Sequence, residues 1–286
     1  MNARSVRWSA LWLLLSACRA DQQRAQVKAT SKDSSAALAA ATKVSVASTV
    51  IGVDTANRTL ATATGSHYRV DNTVTNFGTL SVQVSSTKPL PPDTTIKPDR
   101  DATKCKPFLD ATFPPRRGAK TNGVGNAIAW LVGVESGPRD ESLKRVNIRL
   151  EKCQLQPRVQ RVPQGATIIA NNRDASPSDL RFVDVGQASP RSVLHFTEPG
   201  QVVPSADVLT KAGLVQVLDA RHPWLRAFIA IAPNPYVAVT SADGKFVWEN
   251  VPAGNYQLVV WHERLGARVM PVVVKEGQKV ELRVDY

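Results

Sequence analysis

The chain has 286 residues, 43% hydrophobic and 21% charged, enough for one large or two small globular domains. Lys and Arg total 36 against 24 Asp and Glu, a net charge of +12. The basic residues are scattered and no nucleic-acid motif accompanies them, so the charge reads as a solvated basic surface and nucleic acid is excluded as a partner.

The first element is an export signal, residues 1–17. Arg4 and Arg7 form a positive head and Trp8 to Leu15 a short apolar core. That core is far shorter than the ~20 residues that span a bilayer. It ends in Leu15-Ser16-Ala17-Cys18, which resembles the bacterial lipobox. The resemblance implies a lipidated Cys18 and anchoring to a membrane, since two or more acyl chains hold stably. Arg19 follows, not the Asp of an inner-membrane retention signal, which points to the outer membrane, facing the periplasm. With Cys18 lipidated, Cys105 and Cys153 remain. In an oxidising compartment they are expected to pair, with two buried free thiols as the alternative. Closing that loop of about 48 residues would stabilise the fold by at most roughly 4 kcal/mol.

Residues 18–72 are rich in Ala, Ser, Thr, Lys and Gln and read as a disordered tether, although Val44 to Val53 has the composition of a strand. Residues 73–144 hold N-terminal strands and a Pro-rich loop: Leu80, Val82 and Val84 alternate with polar residues, and Asn126 to Val134 is a continuous apolar run. Strand patterns then recur at Val146–Leu150, Val159–Val162, Thr167–Ala170, Val193–Phe196, Gly213–Leu218 and Ala227–Ala232. Ser205 to Lys211 reads as one helical turn. Between Val237–Thr240 and Lys245–Trp248, Asp243-Gly244 signals a tight hairpin. Tyr256 to Trp261 is apolar on both faces, as a central buried strand is. Arg268–Val274 and Lys279–Val284 close the chain. Short strands separated by turn residues predict an all-β sandwich fold.

Two resemblances arise on these residues. Ala238-Val239-Thr240-Ser241-Ala242-Asp243-Gly244-Lys245-Phe246, followed by Val251-Pro252-Ala253-Gly254-Asn255-Tyr256, resembles the carboxypeptidase regulatory-like domain over 233–286. It implies a non-catalytic, prealbumin-like β-sandwich. Cys153 to Val159, Gly165, Asn171-Asn172, Asp174 and His222-Pro223-Trp224 resemble plastocyanin- and azurin-like domains over 145–232, implying a cupredoxin-like Greek-key sandwich. The strands near Gly78 and Asn126 would join the C-terminal strands, leaving the cupredoxin-like segment as an insertion.

That second resemblance breaks at the metal. A blue-copper site needs a thiolate and two imidazoles, usually with an axial Met. Asp219 stands where the Cys ligand is expected and Leu225 where the Met is. No His lies in Asn172 to Phe182, and only His222 matches. No cofactor is therefore expected. An alternative metal set, His222 with His262 and Asp219, would suit zinc or copper(II). No nucleophile–base motif points to catalysis. The late aromatics Trp224, Phe228, Tyr236, Phe246, Trp248, Tyr256 and Trp261 read as core, or else as a platform for a glycan or peptide. The expected function is that of a non-catalytic, lipid-anchored envelope module that holds a protein or glycan partner.

Overall fold

The computed structural model describes residues 41–286 apart from 45, 64–67, 89–100, 102, 106–121 and 207, and these are built almost wholly of strands. The signal peptide, Cys18, the tether as far as residue 40, and His67 lie outside the described residues. The chain begins with β1 (Thr42–Val44), β2 (Thr49–Ile51), helix α1 (Val53–Ala61), β3 (Arg69–Val70), β4 (Phe77–Ser85), β5 (Ile128–Val132) and β6 (Ser136–Gly137). It then forms β7 (Arg145–Glu151), β8 (Gln154–Gln156), β9 (Val159–Pro163), β10 (Thr167–Asn172), β11 (Ser178–Asp184), β12 (Pro190–Phe196), β13 (Val202–Ser205), β14 (Gly213–Asp219) and β15 (Arg226–Ala232). It closes with β16 (Val237–Val239), β17 (Lys245–Pro252), β18 (Gly254–His262), β19 (Gly266–Val274) and β20 (Lys279–Asp285).

One sandwich combines the first and last groups. Its sheets run β1-β20-β4-β17 and β16-β5-β18-β19-β2. Strand β4 pairs with β17 and β20, and β5 with β16 and β18, so the strands near Gly78 and Asn126 do lie among the C-terminal ones. Leu80, Val82 and Val84 point into a core shared with Leu131, Leu258 and Met270, while their neighbours on β4 stay half-buried. The Asp243-Gly244 turn forms, but the strands it joins lie in different sheets, β16 beside β5 and β17 beside β4, so the expected tight hairpin is corrected to a turn that carries the chain from one layer to the other. Gly244 has φ +82°, and a Cβ there would stand 2.2 Å from the Val84 carbonyl oxygen, so only Gly fits.

The middle group forms the second sandwich, with sheets β13-β10-β7-β8 and β12-β11-β14-β15-β9. Pairs β7–β10 and β9–β15 are parallel and the others antiparallel. Consecutive strands β8 and β9 lie in different sheets, so the chain crosses from one layer to the other around Pro157. This is the cupredoxin-like Greek-key sandwich. Its core gathers Ile148, Ile168, Phe182, Val217 and Trp224.

A third core lies between the sandwiches. Ile128 and Trp130 of β5, Val259 and Trp261 of β18, and Leu214, Phe228 and Ala230 of the second sandwich meet there with Ala56 and Leu60 of α1. Strands β5 and β18 are thus buried on both faces, which explains their uninterrupted apolar runs.

The tether expected over 18–72 is corrected for its described part. Strand β1 pairs with β20, β2 pairs with β19, and α1 is fixed to both sandwiches. Asn57 accepts the Leu214 N–H (2.7 Å) and donates to the Val185 carbonyl (3.1 Å), while Trp130 Nε1 donates to Thr59 Oγ1 (3.2 Å). These short elements have no period of their own because each adds to a surface built by other strands. The helical turn expected at Ser205–Lys211 is also absent from the described residues. Ser205 ends β13, and Val208 and Leu209 drop from a turn into the core.

Candidate functional site

The 219–224 loop joins β14 to β15 at one end of the cupredoxin-like sandwich. Asp219 is the last residue of β14, and its N–H donates to the Leu225 carbonyl (3.3 Å), while the Leu225 N–H donates to His222 O (2.9 Å). These bonds draw the loop into a closed turn. Trp224 is buried in the core beneath and meets the His222 ring edge-on at 5.1 Å. The His-Pro-Trp triplet therefore fixes the height and tilt of the imidazole.

The Asp219 side chain is wholly buried, and four donors surround it. Ser178 Oγ lies 3.0 Å from Oδ2 and the His222 Nδ1 2.8 Å from the same oxygen. The N–H groups of Arg221 (2.9 Å) and Asp179 (3.2 Å) reach Oδ1. The other His222 nitrogen, Nε2, lies 3.2 Å from Asp101 Oδ2. The hydrogen bond to Asp219 is the leading cause that holds the His222 pKa above its ordinary 6.5, against the opposing effect of burial. The ring is thus clamped between two carboxylates, an arrangement that favours its protonated form.

Asp101 belongs to the segment between β4 and β5, and its position is over-determined. Ser176 Oγ donates to Oδ2 (2.7 Å), Lys104 Nζ lies 3.4 Å from Oδ1, and the Lys104 and Cys105 N–H groups donate to its carbonyl (both 2.9 Å). The bonds from Ser176 and then from His222 hold the Asp101 carboxyl below its ordinary range. Cys105 forms the expected disulfide with Cys153. On the far side, Asp174 accepts the N–H groups of Lys152 (2.7 Å) and Cys153 (2.8 Å), both of which lie at positive φ. A cavity of about 110 Å³ remains among the disulfide, Asp101, Ser176, His222 and Leu225.

The alternative metal set does not assemble. His222 and Asp219 meet, but His262 lies at the end of β18, in the other sandwich. There its Nδ1 accepts the Arg264 N–H (3.3 Å). Burial, aided by the charges of Arg264 and Arg158, pushes its pKa down to about 4. Its neighbour Glu263 is taken by Arg158 through Nε (3.0 Å) and Nη2 (2.6 Å). Among the described residues, no three His, Cys, Asp or Glu side chains are grouped to hold a metal ion. The remaining histidine among the described residues, His195, is exposed and pairs with Asp179 at 2.8 Å. The aromatic platform does not form: Trp224, Phe228, Tyr236, Phe246, Trp248 and Trp261 are buried, and Tyr256 is half-buried with its hydroxyl donating to the Pro252 carbonyl (2.9 Å).

The sequence reading missed Asp101, Ser176 and Ser178. The last two lie in the stretch where a second imidazole was sought, and they supply hydroxyls to the two carboxylates in its place. The one signal for Asp101 was its position just ahead of Cys105.

No known protein-family model matches the sequence, and no curated protein does. Solved structures similar to the chain include amicyanin variants and a copper nitrite reductase. A reduced Cu(I) amicyanin variant at pH 4 is 19% identical, with 32% of this chain and 83% of that one covered, at a TM-score of 0.26. A second Cu(I) amicyanin variant gives 20%, 36%, 97% and 0.26 for the same quantities. The Cu-containing nitrite reductase from Thermus scotoductus SA-01 gives 21%, 30%, 22% and 0.27.

Proposed function

We propose that this chain is a non-catalytic module of a bacterial cell envelope, lipidated at Cys18, anchored at the outer membrane facing the periplasm, and built to hold a protein or glycan partner. The cupredoxin-like sandwich serves it as a rigid scaffold in place of an electron-transfer centre. One observation carries the reading: both nitrogens of His222 face carboxylates, Asp219 at 2.8 Å and Asp101 at 3.2 Å. A metal-binding imidazole must be neutral, with one nitrogen free. Asp219, moreover, is a hard oxygen donor where blue copper takes a soft thiolate. The first sandwich, with the Asp243-Gly244 turn and strands β16 to β20, supports the reading of residues 233–286 as a carboxypeptidase regulatory-like module, a class read as structural.

Two measurements test the proposal. Metal analysis of the purified chain is expected to find no stoichiometric copper or zinc. A full equivalent that disappears in His222→Ala would overturn the scaffold reading. For the anchor, labelled fatty acid should enter the wild-type chain and not Cys18→Ser, and a Cys18→Ser chain that stays lipid-labelled removes the anchor from the proposal.

A further inference from the structure

Strand β7 turns Ile148 and Leu150 into the core of the second sandwich, so the alternate residues Arg145, Asn147, Arg149 and Glu151 face outward. The first three are exposed. Across the sheet, Asn147 lies opposite Ile169 of β10, and Ile169 opposite Pro204 of β13. Arg149 lies opposite Asn171, and Asn171 opposite Val202. Residues in register share one face of a sheet, so a row of arginines runs beside a strip of Ile169, Pro204 and Val202. Val202 is 50% exposed.

The cations of this face are unanswered. Residues 144–152 hold Lys144, Arg145, Arg149 and Lys152 against a single acid, Glu151, which Arg173 engages at 3.6 Å. Among the described residues, no carboxylate pairs with any of those four cations. Elsewhere on the chain such charges are met: Arg158 by Glu263, Arg161 by Asp140 and Arg191 by Asp184. Arg145 and Arg149 stand about 13 Å apart along the strand, beyond the screening length of about 8 Å at physiological salt, so both stay open to an outside anion. Leu143, directly before Lys144, is 82% exposed, the most exposed large hydrophobic among the described residues.

This mixture selects the partner. A soluble polyanion would use the cations and leave Leu143 and Val202 in water, and none of the residues on the face is aromatic to stack on a sugar. An apolar protein surface would use Leu143 and Val202 and strip water from unpaired arginines. The interface of an anionic bilayer offers phosphates and apolar groups side by side, and takes both. We propose that this face docks on a bilayer surface rich in anionic phospholipid, with Arg145, Arg149 and their neighbouring lysines at the phosphates and Leu143 and Val202 among the glycerol and upper acyl groups. The contact is distinct from the acyl anchor proposed at Cys18 and does not depend on it.

The test is flotation of the full chain as Cys18→Ser, without acyl groups, with vesicles of equal parts phosphatidylglycerol and phosphatidylcholine, and with vesicles of phosphatidylcholine alone. The apolar residues 8–15 contribute alike in every arm. Binding to the anionic vesicles is expected to be at least about tenfold stronger and to weaken as salt rises. Arg145→Gln/Arg149→Gln should weaken it about thirtyfold, roughly fivefold per cation. Leu143→Ser should weaken it at least about fivefold. Lys43→Gln/Lys275→Gln removes as much charge from exposed positions of the first sandwich and should change it by less than about twofold. All the replaced side chains are exposed, so melting temperatures should match throughout. Equal binding to the two vesicles, wild-type binding by the arginine variant, or an equal loss in the lysine variant would each overturn the surface. Dextran sulfate bound through the two arginines, with vesicle binding unchanged in Leu143→Ser, would make the face a polyanion site and overturn the bilayer contact. Acylation is absent from every arm, so this surface can fail while the anchor stands, and the anchor can fail while it stands.

Discussion

Asp219 holds the 219–224 loop shut, and its removal should be among the costliest single changes in the chain. Its buried carboxylate takes four donors, one of them the imidazolium of His222. Removing one partner of a buried, hydrogen-bonded ion pair costs about 3–5 kcal/mol, because the other stays buried and unpaired. Asp219→Ala should therefore lower the unfolding free energy by about 4 kcal/mol, a large share of the roughly 5–15 kcal/mol that holds a domain together. Urea unfolding of Asp219→Ala, His222→Ala and the double variant at about pH 6 should give a coupling energy of about 1–3 kcal/mol. The sign with pH follows from proton linkage. The folded-state pKa of His222 is raised above 6.5, chiefly by Asp219, so the associated stability is fully present below pH 6.5. It is lost as the pH rises through the folded value, and the coupling should shrink at alkaline pH. A coupling within about 0.5 kcal/mol of zero at the lower pH, or one unchanged at the higher, would refute the imidazolium clamp.

His262 should give the opposite dependence. Its pKa of about 4 means the folded chain refuses a proton that the unfolded chain accepts below 6.5, so stability should fall by roughly 3 kcal/mol between pH 6.5 and about 4 and then level off. His262→Leu should flatten that slope in urea unfolding across the window. Breaking the Arg158–Glu263 pair with Arg158→Leu should cost about 3 kcal/mol by the same assay, since it strands a mostly buried carboxylate between the sandwiches. Cys105→Ser should cost up to about 4 kcal/mol in thermal or urea unfolding, and no loss of stability would show that the disulfide constrains little.

The sequence spoke most clearly where one strand faces one core. On β4, Leu80, Val82 and Val84 alternate, and the Asp243-Gly244 turn declares itself because only Gly tolerates that backbone, although the turn joins two sheets where a hairpin was expected. Residues 41–72 were opaque for a physical reason. Val44, Ile51 and Leu60 each complete a surface made by distant strands, so no local period records their burial. The aromatic residues were ambiguous for a related reason: type and spacing do not reveal that a third core lies between two sandwiches. At the ligand loop, the residues showed Asp219 and Leu225 where a thiolate and an axial Met were sought, and not which groups would surround them. Asp101 lies 121 residues from His222 in sequence, and only the folded chain brings the second carboxylate to Nε2.

The charges at that loop account for the shape of the site. A carboxylate at position 219, at the end of a strand and cut off from water, needs a cation beside it. In a copper-bearing loop of this form the buried anion is a thiolate and the cation is the metal. Here the group beside it is His222, 2.8 Å away, whose protonated form the carboxylate favours. A singly protonated imidazole is a complete partner for one carboxylate and leaves its second N–H to be satisfied. Asp101 satisfies it, and Ser176, Lys104 and the disulfide at Cys105 keep Asp101 in place. A metal entering this loop would have to displace the proton from His222 and also free Nε2 from Asp101. Among the described residues it would still find no second imidazole and no thiolate beside Asp219. Asp101 therefore keeps Nε2 of His222 engaged, and freeing Nε2 by Asp101→Ala would leave the Asp219–His222 pair intact and the loop closed.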